Sequence, residues 1–325
     1  MRDRLRVYYD PAVLRHGTGS FHPERPGRVA AAAEALSAGG FSLLRPPSPG
    51  RTTGALSLVH DARYVERLRE AASLGPEDPE RPFTLFDSPD NPMSRATYEV
   101  SLRSAGLLLA AVDDVVAGSS GCGFVVSRPP GHHARTAEAM GFCFFNAVAV
   151  AARDAQRTHG VGKVLIADFD VHHGNGTQET FWEDPSVAYL SVHRHPFYPG
   201  TGGRDETGAG PGLGLTSNVP LPAASGDGDY AGGFEAALAA LLRTFRPELV
   251  LVSAGFDAHE RDPLGGMRVT PDGFARMTRA LVGAAGAFAG GRLVSILEGG
   301  YDPGGTAEGA LAHARTLAGD PEPSN

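Results

Sequence analysis

The most distinctive chemistry in the sequence lies where aspartates and histidines directly follow a short apolar run. The run 164–167 leads into Asp168, Asp170, His172 and His173, and glycines follow. A strand that continues to Asp170 would place both carboxylates on one face, with the histidines just beyond them. Burying two carboxylates side by side is costly unless a cation neutralises them. The segment therefore predicts a divalent metal site at the end of a buried strand.

A further acidic residue follows another apolar run. Asp257 comes shortly after the run 249–253. Alone, such a residue is more often a helix cap or a turn residue. Beside the first segment it becomes a candidate third ligand. Asp170, His172 and Asp257 would leave coordination positions for water and substrate, as catalytic metal sites require.

Two more apolar runs lead to groups that can move protons or donate a hydrogen bond. His132 and His133 follow the run 124–126 after two prolines and a glycine. Histidine transfers protons near neutral pH. Tyr301 follows the run 293–297 and two glycines. A tyrosine there can donate to an oxyanion, although alone it is better explained as a packed loop residue. Together these groups predict a metal-dependent hydrolase that cleaves an acyl-amide bond.

Short apolar runs alternate with longer helical patterns along the chain. We expect strands at 5–9, 123–126, 163–168, 187–192, 249–253 and 293–297. We expect helices at 27–39, 95–117, 144–158, 229–245 and 272–289. This alternation predicts one α/β domain, a central mostly parallel sheet with helices on both faces. Ligands then bind at the carboxyl ends of the strands. Long loops are predicted for the Gly- and Pro-rich runs 40–54, 74–93 and 195–228.

Composition narrows the class of protein. The chain has 325 residues and a formal net charge of -8, which disfavours nucleic-acid binding. The sequence lacks an apolar stretch of about 18 residues, so we expect no membrane partner. Cys122 and Cys143 match neither a redox nor a zinc-finger spacing, and we expect reduced thiols in a cytoplasmic protein. We expect the catalytic domain to span 1–318, with a frayed tail at 319–325.

A series of motifs runs through nearly the whole chain: HPERP at 22–26, RPPGHH at 128–133, GFCFFN at 141–146, DFDVHHGNGT at 168–177, FYPGTG at 197–202, GFD at 255–257 and EGGY at 298–301. Together they resemble the histone deacetylase superfamily, which has the arginase-deacetylase fold. The GFD and LEGGY forms look like the class II branch and its bacterial relatives. Arginases share the fold, but their second metal-binding carboxylate is replaced here by Gly174.

The resemblance implies the chemistry of the site. It implies Zn²⁺ on the three ligand candidates, with Fe²⁺ as an alternative because the donor set lacks a thiolate. It implies His133 as general base and acid, and Asp168 as the partner that makes His132 more basic. Asn175 stands where class I members carry an aspartate that pairs with the second histidine, and asparagine there is the class II pattern. Tyr301 matches the tyrosine that stabilises the oxyanion. Potassium is implied near the zinc at Asp168, Asp170, His172, Ser191 and Val192.

The resemblance also implies a substrate tunnel. Phe142, next to Gly141, and Tyr198 match the aromatic walls around an acyl-lysine. Asp90 matches a residue that holds the substrate backbone, and Arg25 is placed at an acetate exit channel.

Leu264 stands where vertebrate polyamine-selective relatives carry a glutamate, which favours acyl-lysine in a protein or peptide. An acetylpolyamine or small-metabolite deacetylase is the alternative, and a non-catalytic acyl-lysine reader is the minor one. The oligomeric state stays open, and an oligomer is compatible with the sequence.

Overall fold

The computed structural model describes residues 4–77 and 84–320. Its strands, in chain order, are β1 (Leu5–Tyr8), β2 (Leu43–Leu44), β3 (Thr84–Phe86), β4 (Ser88–Met93), β5 (Cys122–Val125), β6 (Val164–Asp168), β7 (Val187–Arg194), β8 (Thr216–Leu221), β9 (Leu249–Ala254) and β10 (Leu293–Leu297). Strands β3 and β4 form an antiparallel pair. The other described strands form one eight-stranded parallel sheet in the order β2-β1-β5-β10-β9-β6-β7-β8.

The helices of the described residues are α1 (Pro26–Ala38), α2 (Thr52–Leu56), α3 (Ala62–Ser73), α4 (Thr97–Val116), α5 (Ala147–His159), α6 (Asn175–Thr180), α7 (Asp227–Leu241), α8 (Pro271–Phe288) and α9 (Pro303–Ala318). Local sequence explains several ends. At the start of α5, the Asn146 side chain accepts from the N–H of Ala149, and Asp302 caps α9 in the same way. Gly160 follows the last turn of α5 with a positive φ.

The helices cover the sheet in two groups. Helices α4 and α5 pack against each other and against strands β5, β10 and β9. Helices α1, α9, α8 and α7 pack in succession, and α9 contacts β1 and β5. The predicted α/β class and the helix-covered parallel sheet are confirmed. In residues 4–77 and 84–320, every helix is too short or too polar to cross a membrane.

The sheet order brings the predicted chemistry together. Strands β5, β10, β9 and β6 are neighbours, and their residues are all buried. Because they are parallel, their carboxyl ends lie at one edge, and each end leads into one of the polar segments. Strand β6 ends at Asp168, so Asp170 lies in the turn that follows rather than in the strand.

The predicted loops were partly wrong. The run 195–228 contains β8, whose sequence TSNVPL is polar and pairs with β7 along the sheet edge. The run 74–93 contains β3 and β4, with 78–83 outside the described residues, and 40–54 contains β2 and the start of α2. Helices α3 and α9 were not predicted. The short strands β2, β3, β4 and β8 form because they pair with neighbouring strands. Their own sequences show little of the apolar pattern that predicts a strand.

The predicted domain boundary falls at the last residue of α9. The backbone N–H of Gly319 donates to Thr316 O, and that of Asp320 donates to Arg315 O. These two residues therefore cap the helix, and the frayed tail stays a prediction. Residues 321–325 lie outside the described residues.

Candidate active site

Three predicted metal ligands meet at the carboxyl ends of β6 and β9. The ligand atoms of Asp170, His172 and Asp257 all lie within 4.8 Å of one another, and the three residues are buried. His172 Nδ1 is 3.1 Å from Asp170 Oδ1 and 3.0 Å from Asp257 Oδ2. Two carboxylates and one imidazole, converging on one point, form the donor set of a three-ligand catalytic site.

The charges of this group favour a bound cation. Burial and the nearby Asp170 carboxylate raise the pKa of Asp257 to about 7. Burial would lower the pKa of His172, but hydrogen bonds to Asp170 and Asp257 raise it to about 9. The two carboxylates, Asp170 and Asp257, repel each other unless positive charge lies between them, and a protonated His172 supplies part of that charge. A divalent cation supplies it fully, so the residues fit the zinc that the sequence predicted, and they also accept Fe²⁺.

Backbone groups hold the ligand carboxylates in place. The N–H of Gly299 donates to Asp170 Oδ2 at 2.8 Å, and the N–H of Val171 donates to Asp257 Oδ1 at 2.7 Å. A Cβ at position 299 would lie 2.1 Å from Asp257 Oδ2. A glycine is therefore required there for the backbone to approach the two carboxylates.

The tandem histidines have different surroundings. His132 Nδ1 lies 3.0 Å from Asp168 Oδ2, which also accepts from the Tyr189 hydroxyl at 3.0 Å. Burial would lower the pKa of His132, but Asp168 and Asp170 raise it to about 10. Among the described residues, the His133 ring is hydrogen-bonded to a neutral partner, Asn175, at 2.8 Å. Burial and the neighbouring His132 lower the pKa of His133 well below its ordinary value.

This asymmetry separates the roles that the two rings can play. The two ring centroids are 4.1 Å apart. His132 is held as a cation, while His133 is neutral. Because His133 Nδ1 faces the Asn175 amide oxygen, it carries the proton, and Nε2 is left as the acceptor. His133 is therefore the group suited to take a proton.

Tyr301 lies beside the metal ligands. Its ring centroid is 6.5 Å from that of His172 and 5.8 Å from that of Phe142. Burial and the Asp257 carboxylate raise the pKa of Tyr301 well above its ordinary value, so the phenol keeps its proton. The backbone N–H of Tyr301 donates to Asp262 Oδ2 at 2.7 Å. Asp262 thus holds the loop after β10, which carries the Tyr301 hydroxyl as a hydrogen-bond donor at the site.

The predicted tunnel residues lie at the mouth of this group. Tyr198 packs edge-on against His133 at 5.2 Å, and Phe142 contacts Tyr301. Asp90 Oδ2 accepts from the N–H of Gly141 at 3.2 Å. Burial and the Asp90 carboxylate raise the pKa of Tyr198. Asp90, predicted to hold the substrate backbone, therefore lies beside the predicted tunnel aromatics.

Gly141 offers a sharp test of this geometry. A Cβ there would lie 2.3 Å from His133 Cδ2, and φ is +57°. We expect Gly141→Ala to displace the His133 ring and to lower kcat about 10²-fold, the usual cost of misplacing a catalytic group by about 1 Å. Gly160→Ala is the matched control, since φ is +68° there and nothing lies within 4 Å of the added Cβ. Both variants should lose about 1–2 kcal/mol of stability from left-handed backbone strain. Equal kcat for the two variants, measured with melting temperatures, would contradict the assigned position of His133.

The predicted exit-channel residue lies at the protein surface. Arg25 is the exposed N-cap residue of α1. Arg28, one turn later, is fully buried, and its guanidinium carbon lies 5.6 Å from the Tyr301 ring centroid. Arg25 is the N-cap with an extended backbone (φ -125°, ψ 156°), so its side chain does not follow the helical face that buries Arg28. Arg28 Nε donates to Glu24 at 3.1 Å, and in the described part of the chain its Nη atoms have no partner.

The remaining predicted residues lie nearby. Ser191 pairs with Asp168 across β6 and β7, and Val192 follows it, so the predicted potassium residues are neighbours. Leu264 is 36% exposed, and its N–H donates to Asp262 Oδ1. It therefore lies on the loop that also holds Tyr301.

Sequence reasoning missed several residues that build the site. Asp262, Tyr189 and Arg28 were not predicted, and Glu298 was noted only as part of a motif. Glu298 is buried and accepts from the N–H of Gly131 at 2.5 Å. A signal existed for Glu298, because a carboxylate directly after an apolar strand is costly to bury without partners. The hydrogen bond of Tyr189 to Asp168 and the contact of Arg28 with the Tyr301 ring depend on the tertiary structure.

Comparisons with known proteins point to one protein family. A family model described as "Histone deacetylase domain" matches residues 22–317. "Histone deacetylase 14, chloroplastic" of Arabidopsis thaliana is 38% identical over 338 residues, covering 98% of this chain and 78% of the relative. "Polyamine deacetylase HDAC10" of Homo sapiens is 41% identical over 308 residues, covering 92% of this chain and 45% of the relative.

A solved structure shares the fold. The "Crystal Structure of HDA15 HD domain" superposes with a TM-score of 0.90 at 38% identity, covering 98% of this chain and 89% of that chain. The named relatives come from a plant and from human, and they give no support to the predicted likeness to bacterial members of the family.

Proposed function

The chain belongs to the histone deacetylase family, and on that premise we propose that it removes acetyl or other acyl groups from lysine side chains in proteins or peptides. One observation carries this proposal. A neutral histidine, His133, and a protonated tyrosine, Tyr301, flank three buried metal ligands at one edge of the sheet. A proton acceptor and an oxyanion donor on a metal site are the parts needed for amide hydrolysis.

Asp170, His172 and Asp257 would hold Zn²⁺. When bound, zinc polarises an amide carbonyl and lowers the pKa of water. The chain's own residues supply the rest. His133 Nε2 takes the proton of the attacking water and returns it to the leaving amine. His132, held as a cation by Asp168, supplies positive charge beside it. The Tyr301 hydroxyl donates to the oxyanion.

The tunnel supports a linear amide substrate. Phe142 and Tyr198 would bury the methylene chain of an acyl-lysine between two rings. Arg28, rather than Arg25, is the arginine we propose for the acetate exit, because it is buried behind Tyr301. A guanidinium whose Nη atoms lack partners suits a carboxylate product.

The choice between acyl-lysine and an acetylated polyamine depends on the tunnel mouth. Leu264 brings no charge to the loop that follows Asp257. A second cationic amine would find no carboxylate at that position, which favours acyl-lysine. The alternative is an acetylpolyamine or small-metabolite deacetylase, and it is favoured by the similarity to a protein named as a polyamine deacetylase. Retention of His133 and Tyr301 argues against a non-catalytic reader.

An acyl-chain panel tests the function. We expect the zinc-loaded protein to cleave an acetyl-lysine peptide with a kcat/KM at least about tenfold above that for N-acetylputrescine, about 1.4 kcal/mol of discrimination. Leu264→Glu should shift this ratio toward the polyamine, and Leu264→Gln is the matched control for size without charge. Equal or greater cleavage of N-acetylputrescine by the wild type would favour the alternative. Binding of the peptide without cleavage would favour the reader.

Several finer predictions belong to this proposal. We propose 1–318 as the catalytic domain, in agreement with the family match to 22–317. We propose K⁺ at Asp168, Asp170, His172, Ser191 and Val192, where buried carboxylates lie next to β7. The cytoplasmic location and the oligomeric state stay predictions.

A further inference from the structure

A buried carboxylate outside the predicted catalytic group holds the loop of the tandem histidines. Glu298 is 1% exposed and is the first residue after β10. Strand β10 lies between β5 and β9 in the sheet. Glu298 can therefore reach the loop after β5, which carries His132, and also the end of β9.

The contacts of Glu298 use both of its oxygens. Oε2 accepts from the N–H of Gly131 at 2.5 Å and from the N–H of His132 at 3.3 Å. Oε1 accepts from the Ser253 hydroxyl at 3.0 Å. The carboxylate is thus oriented by β9 and in turn orients the backbone of the histidine loop. Hydrogen bonds from N–H groups to a buried carboxylate are short and strong.

The backbone of His132 is held on both sides. Its N–H donates to Glu298, and its carbonyl oxygen accepts from the N–H of Thr177 at 3.2 Å. Its ring Nδ1 is bound to Asp168 at 3.0 Å. Nε2 is then the ring atom turned toward the metal ligands, 3.8 Å from Asp170 Oδ1. Without Glu298, two buried N–H groups would lose their acceptor, and the loop would be free to shift.

We propose that Glu298 is a positioning residue, whose carboxylate fixes the Gly131–His132 backbone and thereby aims both histidine rings at the substrate amide. Burial raises the pKa of Glu298 to about 7, and the charge of His132 opposes that rise. The inference rests on the proposed function only in taking the histidines as catalytic residues.

Glu298→Ala and Glu298→Gln test the proposal in the zinc-loaded protein. Glu298→Ala should lower kcat about 10²-fold through misplaced rings, with KM changed less than about threefold because the tunnel aromatics are untouched. Glu298→Gln keeps an acceptor oxygen, so its kcat should be about tenfold higher than that of Glu298→Ala. Asp154→Asn is the matched control, since Asp154, on α5, is as buried as Glu298 and is ion-paired with Arg51. It should lower the melting temperature and leave kcat within about twofold.

A second measurement does not need turnover. The backbone amide proton signals of Gly131 and His132 should move upfield in both Glu298 variants, more in Glu298→Ala, and should not move in Asp154→Asn. Unchanged amide signals, or a kcat that follows only the folded fraction, would overturn the proposal. Loss of bound zinc in Glu298→Gln would also overturn it, since Glu298 would then act through the metal ligands. If Glu298→Ala does not fold, the same readings are taken from Glu298→Gln. Failure of the wild type to cleave any acyl-amide would reject the proposed function, while the amide signals would still test the position of the loop.

Discussion

Asp257→Asn is expected to lose bound zinc and to lower turnover at least about 10³-fold, since the metal supplies several kcal/mol of transition-state stabilisation. Asparagine keeps an oxygen for the Val171 N–H, which now binds Asp257 Oδ1 at 2.7 Å. Its amide nitrogen would then face His172 and Asp170, where a negatively charged ligand is needed. The local backbone is preserved while the ligand is lost. Zinc content by elemental analysis and kcat on the same preparation measure the effect.

Stability gives the control for this variant. Repulsion from Asp170, together with burial, raises the pKa of Asp257 to about 7. A neutral amide removes that repulsion, so metal-free Asp257→Asn should melt no lower than the metal-free wild type. Chelation of the wild type should reproduce the activity loss, and added Zn²⁺ should restore it in the wild type alone. Full turnover by metal-free protein would contradict the proposed metal dependence.

Tyr301→Phe is expected to lower kcat about 10²–10³-fold, the usual effect of removing one oxyanion donor. The ring packs beside Phe142 and His172, and phenylalanine keeps that packing. The lost hydroxyl acts in the transition state, so kcat and kcat/KM should fall together while KM changes little. Burial and the Asp257 carboxylate keep the phenol protonated, so the effect should persist across neutral pH.

Tyr8→Phe is the matched control for this variant. Tyr8 is fully buried, and its hydroxyl donates to Asp114 Oδ2 at 2.7 Å, on β1 and α4 rather than at the site. Its loss should cost about 1 kcal/mol of stability and leave kcat unchanged. Steady-state kinetics and thermal melts of both variants separate the two effects. A Tyr301→Phe variant with wild-type kcat would exclude the oxyanion role.

The strands were predictable from the sequence where every residue of the strand is buried. The apolar runs that became β6, β9 and β10 lie on the central strands, which are buried on both faces, so composition alone marks them. Strand β8 contains Ser217, Asn218 and Pro220, and only its pairing with β7 makes it a strand. Helix α3 had a signal that was missed, since Tyr64, Leu68 and Ala72 repeat every fourth residue on its buried face.

The candidate metal ligands and candidate catalytic groups were predictable from the sequence. Asp170, His172, Asp257, His132, His133 and Tyr301 each follow an apolar run, and parallel strands bring their carboxyl ends to one edge. Residue types at strand ends therefore predicted the candidate metal donor set and the class of reaction. The different roles of the two histidines came from the family resemblance, which implied Asp168 as the partner of His132 and Asn175 near His133, and both contacts are present.

Only the tertiary structure decided which residues hold that group in place. Asp262 binds the N–H of Tyr301, and Glu298 binds the N–H of Gly131, across 39 and 167 residues of chain. Arg25 and Arg28 are alike in sequence, yet only Arg28 faces the interior. The reason is physical. A side chain's type sets the chemistry that it can perform, while its orientation and charge state depend on neighbours that the fold brings from distant parts of the chain.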